Sequence, residues 1–104
     1  MIYHAHIYWR NEQERKSAVN LRNQLETIGC EMGRIWDKPV GPHTEAMYQA
    51  VYHADIKEEV EQLIAINLQS PVLLHESIND DLRDHTEGVR WLNSELDLNL
   101  EIFE

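Results

Sequence analysis

Five of the six histidines in this chain stand in unusual settings, at least three of them in or beside apolar runs. His4 and His6 share the apolar segment Tyr3-His4-Ala5-His6-Ile7-Tyr8-Trp9. His43 closes the turn Pro39-Val40-Gly41-Pro42-His43. His75 ends the run Pro71-Val72-Leu73-Leu74-His75, and His85 follows an acid in Asp80-Asp81-Leu82-Arg83-Asp84-His85-Thr86. Imidazole is the commonest metal ligand and the side chain that titrates nearest neutral pH. In or beside an apolar run, a neutral ring needs a polar partner. Several such rings collected by one small fold would make a metal centre or a proton-transfer site.

The sharpest reading is a mononuclear metal site built from His6, His43 and His75, whose nitrogen donors suit iron, zinc, copper or nickel. A histidine in a strand, taken singly, is more often a hydrogen-bonded core or surface residue. The metal reading rests on joint placement near one sheet face. His4 is open between a fourth ligand, a partner behind the ligands and a polar residue near a strand's start. His53 reads as surface. Asp84 adjoins His85, but sequence neighbours on a helix do not face each other. Tyr8, Trp36, Tyr48 and Trp91 are candidates to line a pocket for a planar ligand, with core packing the plainer role for each. The chain lacks His-Glu-x-x-His and Cys-x-x-Cys motifs and a serine on a nucleophile turn. With four glycines, it shows no phosphate-cradling loop.

The elements that must position these rings follow from periodicity. Ile2 to Trp9 is aromatic and β-branched and reads as a strand. Alternation then puts Ile2, His4, His6 and Tyr8 on one face. Asn11 and Glu14 form a capping signature before Ala18, Leu21, Leu25 and Ile28 at helical spacing, and Gly29 stops the helix. A short strand is predicted over Glu31 to Asp37, and another over Thr44 to His53. Asp55 and Glu58 repeat the capping signature before Ile56, Val60, Leu63 and Ile64. Ser70-Pro71 opens a strand running through His75. Ile78 to Glu95 reads as a loop with one or two short helices. Leu96, Leu98, Leu100 and Ile102 alternate with polar residues, which predicts a final strand.

The order is β-α-β-β-α-β with a C-terminal extension ending in a strand. This is the ferredoxin-like, split-βαβ pattern of the α+β class: two helices covering one face of an antiparallel sheet. In that arrangement the first and third strands are central and the fourth flanks the first, so His6 and His75 fall on neighbouring strands. The length, 104 residues, fits a single domain. A net charge of -10 speaks against a nucleic-acid surface and against docking on anionic lipid. Lone Cys30 and the lack of a secretory pattern or a membrane-length apolar stretch suit a cytoplasmic protein. The second sheet face, if uncovered, predicts a homodimer.

The four histidine-bearing segments, in this order and with Trp91-Leu92 and Leu96 to Leu100, resemble the DOPA 4,5-dioxygenase family over nearly the whole chain. Thr44 stands where that family often has proline. The resemblance implies a ferredoxin-like domain and a non-haem Fe(II)-dependent extradiol dioxygenase, an oxidoreductase cleaving the aromatic ring of a catechol such as DOPA with dioxygen. Another divalent metal such as Zn would be able to occupy the site as purified. The family's recurring histidines match His6, His43, His75 and His85. On this reading the first three hold the metal, and His85 is the acid–base or substrate-orienting residue with His4 behind it. The resemblance identifies no carboxylate ligand; Glu45, Glu76 and Asp84 are merely adjacent to candidate histidines. The alternative from another class is a non-enzymatic dimeric module that binds a small aromatic or a metal without turnover.

Overall fold

A computed structural model describes residues 1–77, 83, 86 and 88–103. Strand β1 (Ile2–Trp9) leads into α1 (Glu12–Thr27), then β2 (Glu31–Met32) and β3 (Ala46–His53). A 3-10 turn (Ala54–Ile56) runs into α2 (Lys57–Asn67), followed by β4 (Val72–Ser77), β5 (Arg90–Leu92) and a last 3-10 turn (Leu100–Phe103). The five strands form one sheet in the order β2-β3-β1-β4-β5, and each neighbouring pair is antiparallel. This is the expected α+β, ferredoxin-like arrangement, with β1 and β3 inside and β4 beside β1.

Helix α1 begins and ends where its sequence says. The Glu14 N–H donates to Asn11 Oδ1 at 2.9 Å, which satisfies one free amide of the first turn. The Glu14 carboxylate turns back onto Arg10, accepting from its backbone N–H and its guanidinium. At the other end Gly29 takes φ +118°. Its N–H donates to Glu26 O and the Cys30 N–H to Leu25 O, the paired closure that a glycine there permits. Helix α2 departs from expectation. Neither it nor the 3-10 turn before it has a side-chain cap, so the Asp55–Glu58 signature is not used.

Strand alternation sorts the side chains into two clusters. On the helix side, Ala5 and Ile7 of β1, Tyr48, Ala50 and Tyr52 of β3, and Val72 and Leu74 of β4 meet Ala18, Leu21 and Leu25 of α1 and Val60 and Ile64 of α2. On the far side Tyr8, Met47 and Leu73 form a second buried cluster.

The C-terminal extension differs from its sequence reading. The fifth strand is Arg90–Leu92, inside the stretch expected to be loop and helix, and it pairs with β4. Residues 94–99 belong to no strand. Leu96, Leu98 and Leu100 are nevertheless half-buried while Asp97 and Asn99 are exposed, so the alternation correctly marks which side chains turn inward. The ladder position beside β4 is taken by β5. Asn93, at φ 71°, then turns the chain, its side chain donating to Leu68 O and Ser70 O. The segment crosses the far face, where Val89, Trp91, Leu96 and Leu98 pack on the second cluster, and the Asn99 N–H donates to Pro42 O at 2.7 Å. The chain thus covers part of the face that, if uncovered, predicts a homodimer. Among the described residues, no helix is long and apolar enough to cross a membrane.

Candidate metal centre

The register of β1 decides which histidines meet. His4 lies opposite His75 on β4, and His6 lies opposite Leu73 on β4 and Gln49 on β3. Residues opposed across an antiparallel pair share a face, and diagonal neighbours are within reach of long side chains. His75 is therefore opposite His4 and diagonal to His6. The Nε2 atoms of His6 and His75 are 2.9 Å apart, and their rings stack at 5.0 Å between centroids. The His4 ring meets His75 edge-on at 5.0 Å. Nitrogens of His4, His6 and His75 all lie within 4.8 Å of one another. His6 and His75 are both 3% exposed, while His4 is half-buried.

Two features fit this cluster to a metal ion. Imidazole nitrogens bound at about 2.0–2.1 Å to one ion at right angles stand about 3 Å apart, the separation seen for His6 and His75. His75 Nδ1 lies 3.1 Å from the Glu76 carbonyl and donates its hydrogen to it. That leaves the Nε2 lone pair aimed at His6, and a metal-binding histidine is commonly oriented by such a carbonyl.

His43 arrives from a different direction. Its turn closes through the His43 N–H donating to Val40 O at 3.0 Å, with Gly41 at φ 58°. The buried His43 ring packs 4.4 Å from that of His6. Its Nδ1 is 2.6 Å from the Tyr8 hydroxyl. Burial pushes the Tyr8 hydroxyl far above the usual tyrosine range, so it remains a phenol. Sequence reasoning put His43 with His6 and His75 and left His4 open. The structure brings all four rings together, and the group with converging nitrogens contains His4. Among the described residues no carboxylate joins that group. His85 and its neighbour Asp84 lie outside the described residues.

The aromatic expectations divide by face. Trp91 stacks on Tyr8 at 5.8 Å, and Trp36 packs on the same cluster, bridging to Met47 through the backbone. Tyr48 belongs to the other side. It is buried under α1, with its hydroxyl donating to Ala18 O at 2.6 Å. A cavity of about 310 Å³ opens beside the histidines, with His6, His43, Trp36, Met47, Gln49 and Arg34 in its wall. Sequence reasoning missed Gln49 and Arg34. Gln49 lies within the strand expected over Thr44 to His53, but only the register puts it opposite His6.

Fold and site together define a small ferredoxin-like domain with an imidazole cluster on the sheet face opposite its helices. Residues 3–102 match the model of the Dopa 4,5-dioxygenase family, and the chain belongs to that family. It is 25% identical over 108 residues to the DOPA 4,5-dioxygenase of Amanita muscaria, covering 94% of this chain and 47% of that protein. It is 26% identical to an uncharacterised 21.2 kDa protein of Botryotinia fuckeliana, covering 95% of this chain and 60% of that one. The chain therefore spans about half the length of the first of these curated relatives and three-fifths of the second. A crystal structure of a candidate dioxygenase from Nostoc punctiforme aligns with a TM-score of 0.91 at 31% identity, covering 98% of this chain and 90% of that one.

Proposed function

We propose that this protein is an iron(II)-dependent extradiol dioxygenase that opens the ring of a catechol such as DOPA. The observation that carries the reading is the buried His6–His75 pair, joined by His4 and set against a cavity, in a chain of this family. Extradiol cleavage inserts both atoms of dioxygen and breaks the ring bond beside the diol, leaving an aldehyde and a carboxylic acid. When bound, a divalent metal supplies the Lewis acidity that lowers the pKa of the catechol hydroxyls.

The chain's own residues do the rest. His6 and His75 supply two nitrogens, and the Glu76 carbonyl fixes the tautomer of His75. On this reading His4 supplies the third nitrogen in place of the expected His43, supported by its lying within 4.8 Å of those of His6 and His75. His43, held by Tyr8 and lining the cavity, is placed to hydrogen-bond a substrate oxygen. Trp36 and Met47 offer apolar surface to a ring and exclude water. His85 keeps the acid–base role that the resemblance implies.

The test uses protein without a histidine tag, stripped of metal, loaded anaerobically with ferrous iron and then given air and a panel of catechols. The expected result is uptake of one dioxygen per ring opened, with the absorbance of a ring-opened semialdehyde. Metal-loaded protein that binds catechols and opens none would defeat the enzyme reading and leave the binding module.

A further inference from the structure

The chain carries 19 acidic and 9 basic residues, so its cations are scarce, and most of its arginines are committed within the fold. Arg10 pairs with Glu14, Arg15 with Asp37 and Arg90 with Glu61. Arg22 donates to Gly33 O at 2.9 Å and lies over Tyr48. Arg34 is different. Its guanidinium lies 4.5 Å from the centre of the Trp36 ring, it forms part of the cavity wall shared with His6 and His43, and among the described residues no carboxylate pairs with it. The backbone presents it there. The Gly33 N–H donates to Gln49 O at 2.7 Å, and a Cβ at Gly33 would meet that same oxygen at 3.2 Å. The strand is thereby drawn close at Gly33, and pairing resumes only at Trp36, so Arg34 sits in the unpaired interval at the rim.

We infer that Arg34 is a specificity-determining residue that binds the carboxylate of an aromatic acid whose ring lies in this cavity between Trp36 and His43. The inference rests on the proposed use of this site and extends it to the substrate's side chain. Stacking on Trp36 holds the guanidinium plane while leaving its donor fork available, and that fork matches a carboxylate in two parallel hydrogen bonds. An anionic ligand approaching a chain of net charge -10 needs such a local cation. The cavity, about 310 Å³, is at the small end of ligand pockets, which suits a single ring with a short chain.

The test compares matched ligands lacking the diol, so that binding is read independently of metal loading and turnover. Hydrocinnamate and its neutral amide are titrated calorimetrically into wild type, Arg34→Gln and Arg34→Lys, with circular dichroism to confirm folding. Wild type is expected to bind the acid about tenfold more tightly at low salt, a preference that shrinks as salt screens the exposed guanidinium. R34Q abolishes the preference and R34K keeps part of it. Equal affinity of wild type for acid and amide overturns the inference, as does an R34Q that weakens both ligands alike. Turnover of dihydrocaffeate against its amide separates the two readings. Opening both equally defeats Arg34's role alone, and opening neither while the binding preference holds defeats the dioxygenase alone.

Discussion

The 2.9 Å between the Nε2 atoms of His6 and His75 is the contact on which the proposed metal binding rests most directly. Either ring replaced by alanine removes a nitrogen that no neighbouring carboxylate restores among the described residues. His6→Ala and His75→Ala are expected to lose most of their bound metal, read by elemental analysis, while the far-ultraviolet spectrum stays native. His4→Ala and His43→Ala then divide the remaining assignment. With His4 as the third nitrogen donor, H4A loses metal, whereas H43A keeps it and loses turnover; the opposite pattern would restore His43 to the ligand set. His85→Ala is expected to keep the metal and drop turnover by about 10²–10⁴, the usual contribution of a positioned acid or base. Much of this was legible in the sequence. Alternation alone put His4 and His6 on one face, and strand order put His75 beside them. Which of His4 and His43 brings a nitrogen within 4.8 Å of both His6 and His75 was not legible, because it depends on the β1–β4 register and on where the turn Val40 to His43 delivers a ring. Neither is encoded in the spacing of the histidines themselves.

Among the elements, α2 and β5 are tied together through Glu61. Its carboxylate accepts from Arg90 and from Lys57, and the Tyr52 hydroxyl donates to it at 3.3 Å. Burial alone would raise the Glu61 pKa, but the hydrogen bonds and charges of Arg90 and Lys57 outweigh it and hold the group below the usual glutamate range. A carboxylate depressed in the folded state stabilises the fold above its unfolded pKa, about 4.3, and that stabilisation is lost as pH falls through the lower folded value. Glu61→Gln is therefore expected to destabilise the protein at pH 7 and to flatten the fall in stability below about pH 4.3. Urea midpoints at stepped pH check this, and parallel wild-type and variant curves across that range would remove Glu61 from the account. This tie escaped the sequence reading because β5 itself did. Arg90–Leu92 is three residues long and shows too little alternation to register as a strand. The alternation of Leu96 to Ile102 was the stronger signal, and it encodes burial on one side, which an extended segment lying across a sheet needs as much as a paired strand does.

At the scale of the whole molecule, the question is what closes the face that carries the histidines. The sequence, lacking a third layer, pointed to a second copy of the chain. The structure supplies part of that layer from residues 89–98, and the large apolar side chains left exposed among the described residues are Met1, Ile2 and Ile66. Beyond the β5 ladder and the Asn93 side chain, the cover is held among the described residues by half-buried Leu96 and Leu98, the Trp91–Tyr8 stack and a backbone hydrogen bond from Asn99 to Pro42. A full leucine burial contributes about 1.5–3 kcal/mol, so each half-buried one contributes less, and a charge there opposes docking outright. Leu98→Asp is therefore expected to release the segment and expose Tyr8, Met47 and Leu73. Tryptophan emission should shift to the red, the unfolding midpoint should fall, and light scattering should show more self-association than wild type at the same concentration, since the newly exposed patch favours contact between copies. A variant with wild-type emission, midpoint and size would show that the segment contributes nothing to closing the site.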